Sequence, residues 1–294
     1  PLDWKIFTQR PYIKSLSLEE QIRLFNIANE KSIRLREQRF IDFANSNSTS
    51  QGAAGDGDTG VTPFINNFSL TFDGTDDFVA IPDLGTQYNH LDGLDTFSIS
   101  MWVKPSASPV SSTMGIFGLP KTGYTWNLAA YYIPASTQIG IQLNSAGGND
   151  YVNNSITLST SAFSHLAFVF DRATESGGAR IKVYVNGDLK SNETSGVWSQ
   201  ITSAGNFPLH IGAYQQGLGG VVEWTGEIDE VGIFNTALSQ TDVNTIYNGG
   251  SPNDISSLNP LQYFRFEEGT GTTAIDGGSL GLDGTLKNNT AYST

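Results

Sequence analysis

The chain has 294 residues, 32 of them glycine, no cysteine, and a formal charge of −13, room for one large all-β domain with an accessory segment or for two ordinary domains. At 38% hydrophobic and 11% aromatic residues it can fill a core, so disorder throughout is excluded, as are disulfides, a thiol nucleophile and a thiolate metal cluster. The acidity argues against general nucleic-acid binding, and no apolar run approaches the roughly 18 residues of a membrane span.

The opening PLDWKIFTQR lacks the basic patch and apolar stretch of a secretory signal, which predicts a cytoplasmically made protein. Residues 1–44 carry eight basic and six acidic side chains, against eight and 23 in the rest. That asymmetry predicts two jobs. From Ser17 to about Phe43 the pattern reads as helix. Ser17-Leu18-Glu19-Glu20 forms a capping box. Leu18, Ile22, Phe25, Ile33 and Phe40 supply an apolar stripe. Lys31, Arg34, Arg36 and Arg39 crowd its second half, where cations complement the helix dipole.

Residues 45–60 contain no large apolar side chain and read as a flexible tether. A helix held off by such a tether has few neighbours of its own. Residues 1–44 are therefore expected to be an anchor that docks to another protein or self-associates, with folding back onto the domain as the plainer alternative. Asp56-Gly57-Asp58 lacks the spacing and terminal Glu of an EF-hand and stays with the tether.

After Gly60 come short alternating runs. Residues 97–104 put Phe97, Ile99, Met101 and Val103 on one face and Ser98, Ser100, Trp102 and Lys104 on the other. Residues 165–170 suit a strand covered on both sides. Residues 181–185 run into Asn186-Gly187, a two-residue hairpin signal. Residues 209–213 and 226–234 add two more strands. Many short strands and frequent glycine predict a mainly β, two-sheet antiparallel sandwich preceded by an N-terminal α-helical segment. One helix interrupts it. Ser239-Gln240-Thr241-Asp242 caps it, Leu238 staples onto Val243, Ile246 and Tyr247 face inward, and Gly249-Gly250 stop it.

Phe72-Asp73-Gly74-Thr75-Asp76-Asp77-Phe78-Val79, residues 97–105, Tyr184-Val185-Asn186-Gly187, Leu209-His210-Ile211-Gly212 and Gly226-Glu227-Ile228-Asp229-Glu230-Val231 followed by Ala237-Leu238-Ser239 stand in a fixed order. That series resembles laminin-G-like jelly-roll domains of the concanavalin A-like lectin and glucanase group, over roughly residues 65–250. The run Tyr263 to Asp276 also resembles a piece of this family that commonly precedes the Phe-Asp-Gly strand. Here it follows the Ser239 helix. The 37 residues from Leu258 are too few for a second sandwich, so residues 257–294 are expected to complete the first, within a domain spanning 61–294.

Glucan hydrolases share this scaffold, and their pattern Glu-x-Asp-x-(x)-Glu needs two carboxyls on one side of the cleft. This chain has Glu227-Ile228-Asp229-Glu230-Val231-Gly232. Strand alternation sends Glu230 to the face opposite Asp229, and Val231 or Gly232 stands where a second acid is expected. No hydrolase dyad is predicted. His90, His165 and His210 show no zinc spacing, and there is no Gly-x-Ser-x-Gly elbow or Walker-type loop. The resemblance implies a structural calcium on Asp73, the Gly74 carbonyl and Asp229, hard oxygen donors that suit this ion. The alternative is ordinary acidic capping of a strand end, and Asp76, Asp77 and Glu230 read as turn and edge charges.

Sugar rings stack on aromatics while polar groups fix their hydroxyls. Trp126, Tyr131, Tyr132, Tyr151, Trp198, Tyr214 and Trp224 are the candidates, with Asn149, Asp150, Asn153 and Asn154 as hydrogen-bonding partners. Each, taken singly, has core packing as its alternative. Residues 36–55 also resemble the front ends of small virion proteins of marine tailed phages. These features predict a non-enzymatic viral structural protein, fastened through its N-terminal segment to capsid, neck or tail proteins. It would be present as a homo-oligomer or in many copies, and its lectin-like domain would decorate the particle or adhere to host-surface glycans. A secreted or cell-surface carbohydrate-binding module is the alternative.

Overall fold

Phe97, Ile99, Met101 and Val103, the apolar set of the alternating run, are all fully buried between two sheets. Their strand is β3 (Thr96–Pro105). The computed structural model describes residues 17–19, 21–23, 25–26, 64–82, 91, 93–121, 125–145, 148–172, 180–194, 201, 207–215, 220–288 and 290–294. In the first sheet the strand order is β10 (Asp188–Thr194), β9 (Arg180–Val185), β8 (Ser164–Asp171), β3, β14 (Thr225–Phe234), β1 (Ser69–Asp73) and β18 (Ala291–Ser293). A further strand, β15 (Gln262–Phe264), also pairs with β14. The second sheet runs β16 (Thr273–Ala274), β17 (Gly284–Lys287), β2 (Phe78–Ile81), β11 (Leu209–Ile211), β4 (Met114–Lys121), β5 (Thr125–Ile133), β6 (Gln138–Ser145) and β7 (Gly148–Ser155). The two sheets are antiparallel and form a mainly β sandwich, as the pattern predicts. Across the interface Phe117 meets Phe168 edge-on, with ring centroids 5.1 Å apart. Burying one such side chain contributes roughly 2 kcal/mol.

Each sheet has an outer face that is also covered. On the first lies α1 (Gln240–Tyr247), whose capping box is formed: Asp242 N–H donates to the Ser239 hydroxyl, and Ser239 N–H donates to the Asp242 carboxylate at 2.8 Å. Leu238, Val243 and Ile246 pack there against Ala167, Val169, Tyr184 and Phe234. The helix ends on Asn248, left-handed at φ 45°, one residue before the expected glycine stop. On the second sheet lies a hairpin of β12 (Ala213–Gln215) and β13 (Val221–Glu223). It fits because Gly118 of β4 has no side chain: a Cβ there would stand 2.5 Å from Tyr214 Cβ.

The tail after Leu258 enters both sheets. It supplies β15 beside β14, β17 beside β2 with β16 on the far side of β17, and β18 beside β1, where Ser293 pairs with Ser69. Asp276 gathers it: its carboxylate accepts the backbone N–H groups of Tyr263, Gly278 and Leu282 at 2.9, 2.6 and 2.8 Å. At the other end, Leu18, Glu19, Gln21–Arg23, Phe25 and Asn26 are helical. Leu18 and Ile22 are exposed, at 66% and 44%, and Phe25 is half-buried. The anchor positions Ile33 and Phe40, and the tether 45–60, lie outside the described residues.

Candidate functional site

The Phe72–Phe78 turn joins β1 to β2. Gly74 sits at φ +83°, and a Cβ there would fall 2.1 Å from Thr225 Oγ1, so only glycine fits. Asp73 accepts Thr75 N–H at 2.7 Å, and Asp77 accepts Asp73 N–H at 2.8 Å. One carboxylate oxygen from each of Asp73, Asp76 and Asp77 lies within 4.8 Å of the others. Burial pushes Glu223 up to about 7, with Asp76 and Asp73 adding to the shift. Hard oxygens at this spacing are chemically able to hold a divalent cation.

Asp229 does not belong to that group, which corrects the expected calcium set. Asp73 pairs with Thr225 at one end of β1, while Leu70 pairs with Ile228. Asp229 is therefore about four residues farther along the ladder, on the order of 13 Å away. The Asp73–Gly74 end instead finds its acidic neighbours inside its own turn, at Asp76 and Asp77, which the sequence reading had set aside.

The aromatic set is corrected as well. Trp224 is fully buried and Tyr132 is 4% exposed, both inside the inter-sheet core. Tyr214 of the β12–β13 hairpin stacks on Tyr131 of β5, centroids 5.7 Å apart, and the two are 2% and 9% exposed. None of these four presents a ring face on which a sugar can stack. Trp126 and Tyr151 lie in β5 and β7 with side chains outside the described set, and Trp198 lies outside the described residues. Asn127 of β5 is fully buried with neither amide atom hydrogen-bonded, and Gln142 Oε1 of β6 is likewise unpaired.

The most elaborate polar site is one the sequence reading missed. Ile228, Val231 and Ile233 all reach the inter-sheet core. The three-residue step from Ile228 to Val231 breaks strict alternation, and β14 accommodates it with a bulge between Asp229 and Gly232 and φ +48° at Glu230. Asp229 and Glu230 consequently leave the strand on the same, outer side, contrary to the expected opposition. The Tyr263 hydroxyl donates to Glu230 Oε2, and Arg265 Nε to Glu230 Oε1 at 3.2 Å. Asn66 Nδ2 donates to Asp229 Oδ2 at 2.8 Å, and Glu230 N–H to Asp229 Oδ1 at 2.9 Å.

Each carboxylate is 3% exposed. Burial pushes Asp229 up to about 7, against the bonds from Asn66 and the Glu230 N–H. Burial likewise pushes Glu230 up to about 8, opposed by the Tyr263 bond and reinforced by Asp229. Paired carboxyls with raised values are what acid–base catalysis uses. Here both carboxyls are almost fully buried and their oxygens are engaged, so no sugar reaches them in this arrangement. Glu227, on the same face, is tied to Lys104 at 2.5 Å and to Ser69 at 3.0 Å.

Both described histidines are sheet residues. Burial lowers His165 to about 3, and His210 to about 4 with help from Lys287. His90 lies outside the described residues. Among the described residues no helix is long and apolar enough to cross a membrane.

A sandwich of two antiparallel sheets, with an Asp-Gly turn between β1 and β2 and a capped helix after β14, defines a lectin-like domain. The family model of the concanavalin A-like lectin/glucanases superfamily matches residues 73–244, and the chain belongs to that family. A candidate carbohydrate binding protein from Bacteroides ovatus is similar in fold, with TM-score 0.56 and 15% identity over 82% of this chain and 66% of its own. The heptameric SAP-like pentraxin of Limulus polyphemus gives TM-score 0.48 and 21% identity over 65% and 88%. The CBM40 of a Ruminococcus gnavus IT-sialidase, bound to α2,3-sialyllactose, gives 0.46 and 16% over 60% and 97%. A comparison with curated proteins found no match.

Proposed function

We propose that the chain is a non-enzymatic structural protein of a virus particle. Its N-terminal segment fastens it to capsid, neck or tail proteins, and its lectin-like sandwich decorates the particle or adheres to host-surface glycans. The observation that carries the glycan half is membership of a lectin family over residues 73–244. Attachment is supported by Leu18 and Ile22, apolar side chains one helical turn apart and exposed. The absence of catalysis is supported by the burial of the Asp229–Glu230 pair, whose oxygens are taken up by Asn66, the Glu230 N–H, Tyr263 and Arg265. Many weak sites on one particle would give useful avidity. The resemblance implies a structural calcium on Asp73, the Gly74 carbonyl and Asp229; this reading keeps an ion at the Asp73–Gly74 turn but places it on Asp73, Asp76 and Asp77.

Of the seven aromatic candidates, glycan contact is kept here for Trp126, Tyr151 and Trp198, whose side chains lie outside the described set. The test applies the full chain to a glycan array. Saturable binding is expected, weakened about tenfold, some 1.4 kcal/mol, by Trp126→Ala, Tyr151→Ala or Trp198→Ala. Binding unchanged in all three variants would remove the assignment, and no binding to any glycan would leave decoration alone. Protein counting on purified particles separates the two settings: a fixed copy number supports the virion, and absence from particles would leave the secreted or cell-surface module.

A further inference from the structure

Asn-Gly occurs twice in the chain, at Asn186-Gly187 and Asn248-Gly249. Asparagine is thermolabile, and a following glycine, lacking a Cβ, lets the backbone swing round to close a ring on the side-chain amide. Both asparagines are left-handed, at φ 51° and 45°. At Asn248 ψ is 43°, which turns the Gly249 nitrogen away from the side chain. Ring closure therefore waits for the turn to open, and the cost of opening decides which site reacts.

The two turns are held very differently. Asn186 Oδ1 accepts the His165 N–H at 2.9 Å, and Asn186 N–H donates to the His165 carbonyl at 2.9 Å. Gln240 Nε2 of α1 donates to the Gly187 carbonyl at 2.6 Å. Tyr247 of α1 packs so close that a Cβ on Gly187 would stand 2.9 Å from its ring, and Gly187 is buried. Asn248 and Gly249 are both exposed. The Asn248 side chain has no hydrogen-bond partner among the described residues, and nothing lies within 4 Å of where a Cβ on Gly249 would be. That turn rests on two backbone bonds, Asn248 N–H to the Asn244 carbonyl and Gly250 N–H to the Tyr247 carbonyl, each at 2.9 Å.

We propose that Asn248 is a site of spontaneous hydrolytic modification, and that α1 withholds Asn186 from the same reaction. The Gly249 backbone nitrogen attacks Asn248 Cγ and gives its proton to water, while the Cγ–Nδ2 bond breaks and ammonia leaves. Water then opens the resulting succinimide at either carbonyl, leaving an aspartyl or an isoaspartyl link to Gly249. One water enters, one ammonia leaves, and nothing is oxidised or reduced. Either product puts a carboxylate at the carboxyl end of α1, where the helix dipole is itself negative. The isoaspartyl form also adds a backbone methylene, which breaks the left-handed cap. The helix loosens at the end that carries Tyr247. Since Tyr247 and Gln240 are what α1 lays over Gly187, reaction at Asn248 uncovers Asn186, and the two sites react in that order.

The test incubates the full chain at pH 8 and 37 °C and follows both Asn-Gly peptides by mass spectrometry, with an enzymatic count of isoaspartate. The urea-unfolded chain, in which neither turn exists, sets the reference rate for each site. In the folded chain Asn248 is expected to react about tenfold faster than Asn186, some 1.4 kcal/mol in opening cost. Asn248→Gly keeps a left-handed cap with no amide to lose and should leave Asn186 intact. Gln240→Ala should speed Asn186 alone, whereas a variant that unfolds would bring both sites to their reference rates. Asn186 reacting as fast as Asn248 in the folded chain, or Asn248 staying intact while the unfolded chain reacts, overturns the proposal. Should Gln240→Ala fail to fold, Asn248→Asp decides: it should raise the Asn186 rate about threefold over that in Asn248→Gly. Equal Asn186 rates in those two variants would mean that α1 shields nothing.

Discussion

Ser100 Oγ lies 2.8 Å from Nε2 of His165, and neither residue reaches solvent. The imidazole sits among the rings of Trp102 and Tyr247, at centroid distances of 5.4 and 6.1 Å, and its Nδ1 has no partner. A ring so enclosed is neutral, which is why burial lowers it to about 3. The pair looks like part of a nucleophile system but has no access to substrate. It ties β3 to β8 beneath α1.

A histidine held neutral makes stability depend on acid. Its folded value lies below the ordinary 6.5, so its contribution is complete above pH 6.5 and is lost as pH falls toward 3. One proton taken up on unfolding gives a slope of up to ~1.4 kcal/mol per pH unit. His165→Gln keeps a partner for Ser100 but cannot titrate. Urea unfolding at pH 4 to 7 should therefore show the gap between wild type and variant narrowing toward acid. A gap that stays constant would sink this account. Asp229 and Glu230 act with the opposite sign. Their raised values make a contribution that is complete below pH 4 and is lost as pH rises to 8, so above 6.5 the carboxyl effect stands alone.

Asp276 is the second group whose removal should be costly. Its carboxylate satisfies three backbone N–H groups within the tail and is itself fully buried. Backbone donors left buried without an acceptor cost about 1–3 kcal/mol each. Asp276→Ala is expected to lower the unfolding free energy by roughly 3 kcal/mol, measured by urea denaturation. A loss under about 1 kcal/mol would mean that the tail contributes little to the sandwich.

The local patterns were legible and the long-range offsets were not. Phe97 to Val103 and the Ser239–Asp242 box declare themselves because alternation and capping act within a few residues. The common outward direction of Asp229 and Glu230 depends on a bulge, visible only as the three-residue step between Ile228 and Val231, a signal available in the sequence. The separation of Asp73 from Asp229 depends on how far β1 slides along β14, which neither strand encodes alone. Tyr214 and Tyr131 carry no mark of burial because the hairpin that brings Tyr214 onto Tyr131 is seated by Gly115 and Gly118, which read as ordinary strand glycines.

Calcium at the acidic turn is checked by metal removal. Asp73 and Asp77 already accept backbone N–H groups, so the turn can form without an ion, and an ion there would act by mass action on the folded state. Added calcium should raise the melting temperature by a few degrees, a chelator should reverse it, and Asp73→Asn should remove the response. Glu223 should then titrate below 7, because a cation offsets Asp73 and Asp76. An unchanged melting temperature with and without chelator eliminates the ion.

The N-terminal segment gives the last prediction. The sandwich and the contacts of residues 64–68 with Asp229, Arg265 and Glu267 use residues from Phe64 onward, so removal of residues 1–44 is expected to leave the melting temperature within about 1 °C of the full chain. Leu18 and Ile22 bury little in the described structure, and uncovering an exposed side chain changes stability by only a few tenths of a kcal/mol. What the truncation should lose is association. Sedimentation of the full chain against the truncated one, with and without purified particles, tests this directly, and Leu18→Ser with Ile22→Ser should copy the truncation. A truncated protein that still joins particles normally would place the attachment on the sandwich, and a truncated protein that melts several degrees lower would place the segment against it.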